Sequence, residues 1–320
     1  MEKLPRLDTN KELRKRLLPC CRLTTGEIWQ DSEGRHRVGV GDAGDPGFLD
    51  KLLGGRSIGN LLNDPPYNIA VGRRPTSALS RKTSDEYLEF TRRWLDASIP
   101  FLAPSAHFYL WLGADQNDGF QPLPEVMILL REYSELRSRS FISMRNQRGY
   151  GTQQNWMSLR QELLYYVKGK PEFTVVYTDI PKILKGYYKT VGGRRQENLE
   201  RSKSDCIRPG NIWVDMQQVF YRMEENVPGA YAQKPLASAE RILRASPPPG
   251  DSVVADLFCH SGTSLLAAER LRLPCCTMDV DPVYAELSIR RLERFRSTGK
   301  TGWQWENPFP EIDLQPTEHL

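Results

Sequence analysis

Apolar and polar positions along this chain follow two alternating rhythms. Short apolar runs, typical of buried strands, are separated by stretches with apolar residues every three or four positions, the spacing of a helix that buries one face. Residues 37–42 read as a short strand ending on a turn, and 57–63 as a stretch that stops at Pro65 and Pro66. Residues 85–101 place Leu88, Trp94, Leu95 and Ile99 at helical spacing behind an acidic first turn. The run HFYLWL at 107–112 is a buried-type strand, and 141–144 and 162–167 read as two more. Between 168 and 232 the rhythm fails: the segment is polar, basic and rich in Gly and Tyr, with Trp213, Tyr221 and Tyr231 scattered through it. Alternation then returns, with strands at 252–258 and 275–279 and helices at 263–271 and 282–295. The last twenty residues hold three prolines and four acids and read as an extended tail. Strands and helices in alternation predict an α/β fold with a doubly wound sheet.

Composition narrows the class. At 320 residues and 39% hydrophobic content the chain suffices for one large α/β domain, or for a catalytic domain with an inserted lobe. No apolar run approaches the ~20 residues of a membrane helix. The N-terminus is basic but has no apolar core, so no secretory signal is expected and the protein is expected in the cytoplasm. Repeats of solenoid length are absent. The six cysteines (Cys20, Cys21, Cys206, Cys259, Cys275 and Cys276) lack ribbon or redox spacing, and four scattered histidines complete no site. Most thiols are therefore expected to be reduced core residues, with no metal bound. The net charge of +4 says little by itself. Its distribution says more: residues 182–208 carry eight basic and three acidic side chains. A solvated loop would explain that surplus, and so would a polyanionic partner.

Two places carry candidate chemistry. In the first, Asp256-Leu-Phe258-Cys259-His260-Ser261-Gly262-Thr263 follows a buried strand and opens a helix. A glycine there lets a ligand approach the backbone, and the helix start offers free amide donors. The next strand ends in Asp279, about twenty residues on, where an acid can accept hydrogen bonds from ribose hydroxyls. The turn alone would suit a tight strand-to-helix connection, but turn plus acid favours a nucleoside. The loop is poor in glycine for a pyrophosphate binder, which fits an adenosine without phosphates.

The second place is Asn63-Asp64-Pro65-Pro66-Tyr67-Asn68. A chance match to its central tetrad in a chain of this length is roughly one in a thousand. An aryl amine is a poor nucleophile because its lone pair is delocalised into the ring. Accepting a hydrogen bond from each N–H lets the nitrogen pyramidalise toward an electrophilic methyl. Asp64, ionised at neutral pH, supplies one acceptor and the Pro65 carbonyl the other. Two prolines hold both rigidly, and preorganised acceptors lower the barrier. Tyr67 offers a stacking face worth ~1–3 kcal/mol. A duplex base reaches such a site only when flipped out.

These residues resemble the amino-methyltransferases of restriction–modification systems and orphan DNA methyltransferases. The order of parts resembles the beta class: tetrad first, target-recognition region in the middle, donor loop late. The resemblance implies a circularly permuted Rossmann-like methyltransferase fold, a mixed doubly wound sheet with helices on both faces and an inserted recognition region. Its parts would be an N-terminal extension (1–35), a catalytic half (36–167), a target-recognition region (168–232), a donor-binding half (233–298) and a C-terminal tail (299–320). It implies S-adenosylmethionine as methyl donor. Asp42, beside Gly41, would lie near the donor's adenine. Gln233-Lys234-Pro235 resembles the family's Gln-Lys-Pro element, whose helix lines the pocket for the methionine end. Residues 258–263 resemble the Phe-x-Gly-x-Gly loop, with His260 where the family has its first glycine, and Asp279 aligns with the ribose-holding acid. A tetrad beginning with Asp is usual for adenine enzymes. The expected function is N(6) methylation of a flipped adenine; an N(4)-cytosine enzyme and a catalytically silent DNA-binding subunit are the alternatives. An RNA methyltransferase and a dinucleotide-dependent oxidoreductase are more distant ones.

The partner is then double-stranded DNA, and a cognate restriction endonuclease or a second copy of the chain is compatible with the resemblance. Arg73, Arg74, Arg81 and Lys82 lie in an acid-free stretch after the tetrad that is either a phosphate clamp or an ordinary surface loop. Arg145, Asn146, Gln147 and Arg148 open an amide-rich segment suited to reading base edges. Arg194 and Arg195 belong to the basic middle, where phosphate contacts would set register.

Overall fold

A parallel arrangement of five strands forms the centre of the fold. The computed structural model describes residues 6–7, 10–66, 70–71, 74–75, 83–113, 122–150, 156–182, 188–197 and 203–312, with backbone alone at 70–71, 74–75, 146–150, 158, 188–189 and 197. In chain order the main strands are β1 (Ile28–Gln30), β2 (His36–Val40), β3 (Ile58–Asn63), two short pieces β4 (Ala70–Val71) and β5 (Arg74–Pro75), β6 (Leu102–Gly113), β7 (Leu136–Tyr150) and β8 (Ser158–Lys168). They continue with β9 (Tyr188–Val191), β10 (Arg194–Glu197), β11 (Ile212–Trp213), β12 (Val253–Asp256) and β13 (Cys275–Asp279). Nine of them form one sheet in the order β1-β2-β13-β12-β3-β6-β8-β7-β11. From β2 to β6 neighbours are parallel; β1 and β8 run against their neighbours, which makes the sheet mixed. Parallel central strands need crossovers, and the helices supply them.

Those helices are α1 (Lys11–Leu17), α2 (Pro46–Leu53), α3 (Ser84–Ser98), α4 (Pro122–Leu129), α5 (Leu236–Ala245), α6 (Thr263–Arg270) and α7 (Pro282–Thr298). One face of the sheet buries Leu61, Phe108, Leu110, Val253 and Met278 against α2, α3 and α4, where Leu49, Trp94 and Val126 sit. The other buries Val38, Leu62, Tyr109 and Val254 against Leu243, Leu266 and Ile289 of α5, α6 and α7. Alternate residues of each strand thus enter opposite cores, as a two-sided sheet requires. The expected α/β architecture with helices on both faces is what forms. The strand bearing the Asp-Pro-Pro tetrad precedes the strand bearing the glycine turn in the chain, yet β3 and β12 are neighbours in the sheet. Register then aligns the strand ends: Asp279 pairs with Val40, Asp256 with Thr277, and Ala255 with Leu61. All candidate chemistry therefore lies along one edge of the sheet, beyond the carboxyl ends of its strands.

Several expectations need correction. The tail is packed rather than extended as far as it is described: Trp303, Phe309 and Ile312 join Leu7, Leu13, Leu17, Val283 and Leu287 in a third apolar cluster over α7. Its prolines and acids gave no sign of the three apolar anchors between them. Within the N-terminal extension, the described residues pack into the fold: β1 extends the sheet and α1 enters the same cluster. The run at 141–144 is the middle of a fifteen-residue strand, because pairing with β8 carries polar residues into the ladder. All six cysteines are free, but only Cys259, Cys275 and Cys276 are buried; Cys20, Cys21 and Cys206 are half-buried. The segment 168–232 supplies an edge strand, β11, to the main sheet and a separate β9–β10 hairpin.

Candidate active site

The carboxylate of Asp64 emerges directly from β3, whose six residues are all buried. The preceding residue fixes its position. Asn63 is wholly buried, and its Oδ1 accepts the backbone N–H of Leu257, the first residue beyond β12, at 3.0 Å. The parallel ladder is thereby continued by a side chain where the two backbones diverge. Pro65 is buried and Pro66 half-buried; Tyr67 lies outside the described residues.

Asp64 meets a cation. Lys234 Nζ donates to both carboxylate oxygens, at 2.9 and 2.8 Å, with the lysine side chain 7% exposed and the aspartate 27%. The same ammonium stands 5.3 Å from the centroid of the Trp111 ring, a cation–π contact from the neighbouring strand β6. The Gln-Lys-Pro element holds this lysine from both sides. Gln233 accepts the Val227 N–H and donates to the Glu225 carbonyl. Pro235 sits at the amino end of α5, its carbonyl accepting from Ser238, while Glu225 accepts the first helical N–H at Leu236. Burial raises the Glu225 carboxyl above its usual range.

The glycine turn lies beside this pair. Gly262 has φ +72°, and a Cβ there would stand 2.9 Å from the Ser288 Cα, so the turn admits no side chain at that residue. His260, in place of the first glycine, is also left-handed at φ +44°, a conformation glycine adopts without strain. Its backbone N–H donates to Asp279 Oδ2 at 3.0 Å, and its ring lies 4.6 Å from that of Tyr284 on α7. The other Asp279 oxygen accepts from the Asp281 backbone. Burial raises the Asp279 carboxyl to about 7. Asp256 follows the same physics: burial, with Asp64 nearby adding to it, raises its carboxyl to about 7, and its Oδ1 accepts from Phe258.

The remaining loop residues divide by direction. The Phe258 ring turns toward α3, edge-on to Trp94 at 5.7 Å. The Cys259 thiol is in the core, where burial holds it well above its usual range and Ser288 donates to it. Ser261 and Thr263 are buried, and Thr263 Oγ1 donates to the Lys234 carbonyl at 3.3 Å. Asp42 lies two residues beyond β2, next to Gly41, whose N–H donates to the Asp279 carbonyl; Asp42 is half-exposed and ion-paired with Arg93. Sequence reasoning missed Asn63 and Arg291. The Arg291 guanidinium, wholly buried in α7, donates to the carbonyls of Ser261 (2.9 Å), Thr301 (2.6 Å) and Glu225 (3.2 Å). Burial lowers it to about 10, still cationic at neutral pH. Its helical spacing gave no signal of that role, since an arginine on a helix is ordinarily exposed.

The expected DNA contacts are partly within the described residues. Arg145 is exposed on β7, and Arg194 and Arg195 are exposed at the β9–β10 hairpin, which is not paired with the main sheet. Arg74 lies in β5 and Asn146, Gln147 and Arg148 in β7 by backbone alone, while Arg73, Arg81 and Lys82 lie outside the described residues. Among the described residues no group of three His, Cys, Asp or Glu side chains could hold a metal, and no helix is long and apolar enough to cross a membrane.

Asp64 and the glycine turn thus lie beside each other beyond the strand ends, and the chain is similar to several known proteins. The type II methyltransferase M.HpaI of Haemophilus parainfluenzae is 26% identical over 243 residues, 76% of this chain and 70% of the relative. The DNA adenine methyltransferase YhdJ of Escherichia coli K12 is 24% identical over 245 residues, 76% of this chain and 79% of the relative. Among solved structures, the cytosine-N4-specific PvuII DNA methyltransferase superposes with a TM-score of 0.53 at 15% identity, over 80% of this chain and 85% of that one. TTHA0409 of Thermus thermophilus does so with 0.51 at 20% identity, over 84% and 99%. These two share the Rossmann-like fold. Residues 61–290, from the strand that presents Asp64 to the helix that carries Arg291, match the DNA methylase family, and the chain belongs to it.

Proposed function

We propose that this DNA methylase transfers the methyl group of S-adenosylmethionine to the N(6) amine of an adenine flipped out of duplex DNA. The observation that carries the proposal is the placement of Asp64 beside the glycine turn, locked by the Asn63–Leu257 bond. The donor-side residues fit an adenosine carrying an amino acid. Asp279 ends β13 and Asp42 lies just beyond the neighbouring β2, where ribose and adenine would lie, Gly262 keeps the turn clear of side chains, and Lys234 reaches Asp64. The donor supplies an electrophilic methyl on a sulfonium. The chain's own part is to hold the amine: Asp64 and the Pro65 carbonyl accept hydrogen bonds from its two N–H groups, so its lone pair is directed at that methyl. No strong base is required before transfer, and the proton leaves the alkylated amine afterwards.

The choice of adenine rests on the Asp at the head of the tetrad and on the adenine specificity in the name of the YhdJ relative. A cytosine N(4) enzyme is the second reading, favoured by the fold shared with the PvuII enzyme. In either case residues 168–232 would serve as the recognition region and the exposed Arg194 and Arg195 as phosphate contacts. Mass spectrometry of nucleosides from unmethylated DNA incubated with protein and S-adenosylmethionine tests the proposal, with Asp64→Ala as control. N(6)-methyladenine that vanishes in the control supports it. N(4)-methylcytosine would keep the mechanism and change the base, and no methylated base would overturn the catalytic reading.

A further inference from the structure

Asp64 has to accept a hydrogen bond from the target amine, yet in this structure both of its carboxylate oxygens receive Lys234 Nζ. A carboxylate bridged by an ammonium is a weaker acceptor for a neutral amine, since the cation already draws on its charge. Lys234 therefore masks the group on which catalysis depends. The same residue is anchored to the donor loop, because its backbone carbonyl accepts from Thr263 Oγ1. The lysine begins at the loop and ends at the catalytic carboxylate, so a donor seated between them passes along its stem.

Two buried cations stand near that loop among the described residues, and only one is suited to change partners. Arg291 is committed to three backbone carbonyls and holds the loop's shape. Lys234 carries a point charge on a flexible four-carbon stem with rotatable donors. Its anionic partner here is Asp64, and when the donor is bound the carboxylate of its amino-acid end becomes a second. Asp256 is engaged with the Phe258 N–H, which leaves Asp64 and the donor carboxylate as the two competitors.

We propose that Lys234 is shared between them: it holds Asp64 in the donor-free protein, and the carboxylate of the bound donor draws it away and frees Asp64 for the amine. Donor binding would then prime the acceptor, and an enzyme without donor would grip a flipped base weakly. Linkage makes the arrangement reciprocal, because whatever weakens the hold of Asp64 on Lys234 must strengthen donor binding. The proposal rests on the methyl-transfer reading above.

Calorimetry with sinefungin, which has the donor's adenosine and amino-acid ends and no transferable methyl, tests it. In Asp64→Asn the lysine loses its resident anion, and sinefungin should bind at least fivefold tighter than to wild type. Lys234→Met should bind it at least fivefold more weakly. 5′-Methylthioadenosine, which lacks the amino-acid end, should bind all three proteins alike. Unchanged or weaker sinefungin binding by Asp64→Asn would overturn the exchange, even if Lys234→Met failed to fold. So would methylthioadenosine affinities that shifted in parallel with those of sinefungin. Wild type that bound neither sinefungin nor duplex DNA would instead overturn the underlying methyltransferase reading.

Discussion

The side-chain oxygen of Asn63 takes the backbone N–H of Leu257 at 3.0 Å, joining β3 to the end of β12 where their ladder ends. Asn63→Ala leaves that buried N–H without an acceptor, a loss of about 1–3 kcal/mol. Because the bond aligns Asp64 with the turn, kcat should also fall by more than the unfolded fraction accounts for. Urea unfolding together with single-turnover rates checks both. Full activity in a destabilised variant would show that the bond serves stability alone.

His260 makes an unusual demand on the donor loop. At φ +44° it holds a left-handed backbone that costs an L-residue roughly 1–2 kcal/mol. The contact of its ring with Tyr284 at 4.6 Å offsets that strain, in a range of about 0.5–1.5 kcal/mol. The two nearly cancel, and they separate on substitution. His260→Ala keeps the strain and loses the ring, so it should destabilise by about 1 kcal/mol. His260→Gly loses both and should stand within about 1 kcal/mol of wild type, the more stable of the two variants. Denaturant midpoints give the order directly; alanine above glycine would mean that the backbone there is unstrained.

Arg194 and Arg195 stand exposed on the β9–β10 hairpin, outside both cores. Replacing both by alanine should leave the melting temperature nearly unchanged. If each meets a phosphate, the slope of log K against log salt should fall by about 2 on duplex DNA, and the loss of affinity should be similar on all sequences. An unchanged slope would remove the hairpin from the DNA interface.

Much of this was legible in the residues themselves. The strand at Cys275–Asp279 and the start of the helix at Thr263 fall where apolar spacing and the glycine placed them, because buried strands and helix starts are written locally. The pairing of β3 with β12 was not legible from spacing, since it joins residues nearly two hundred positions apart; the family resemblance implied a permuted fold without naming the pairing. At the site, Asp64, Gly262 and Asp279 announced themselves through chemistry that few structural roles need. Asn63 and Arg291 did not, because a buried amide and a helical arginine acquire meaning only from the backbone groups they meet. Lys234 was expected at the donor's methionine end, and its ion pair with Asp64 emerged only from the folded chain. The packed tail was missed for a related reason: Trp303, Phe309 and Ile312 are too irregularly spaced to read as a helix face or a strand.

Asp256 ties the site to pH. It is buried at the end of β12, and burial raises its carboxyl to about 7, with the charge of Asp64 contributing. In the unfolded chain the group titrates near its ordinary value of about 4. Below that, both states are protonated and its contribution to stability is fully present. Between about 4 and 7 the folded protein binds more protons than the unfolded, so stability declines as pH rises. Above about 7 the loss is complete. Asp256→Asn removes the titration and keeps an oxygen for the Phe258 N–H. The variant should therefore gain on wild type as pH rises from about 5 to about 8. Asp279, raised in the same direction and in part by the charge of Asp256, titrates in both proteins, so the difference reports Asp256 together with its effect on Asp279. Melting temperatures of the two proteins across that range, in the absence of donor, decide it. A constant gap would mean that Asp256 is ionised throughout and that the fold tolerates three carboxylates at this edge. A gap that widens with pH would mean that burial holds Asp256 protonated in the folded protein until the pH approaches about 7.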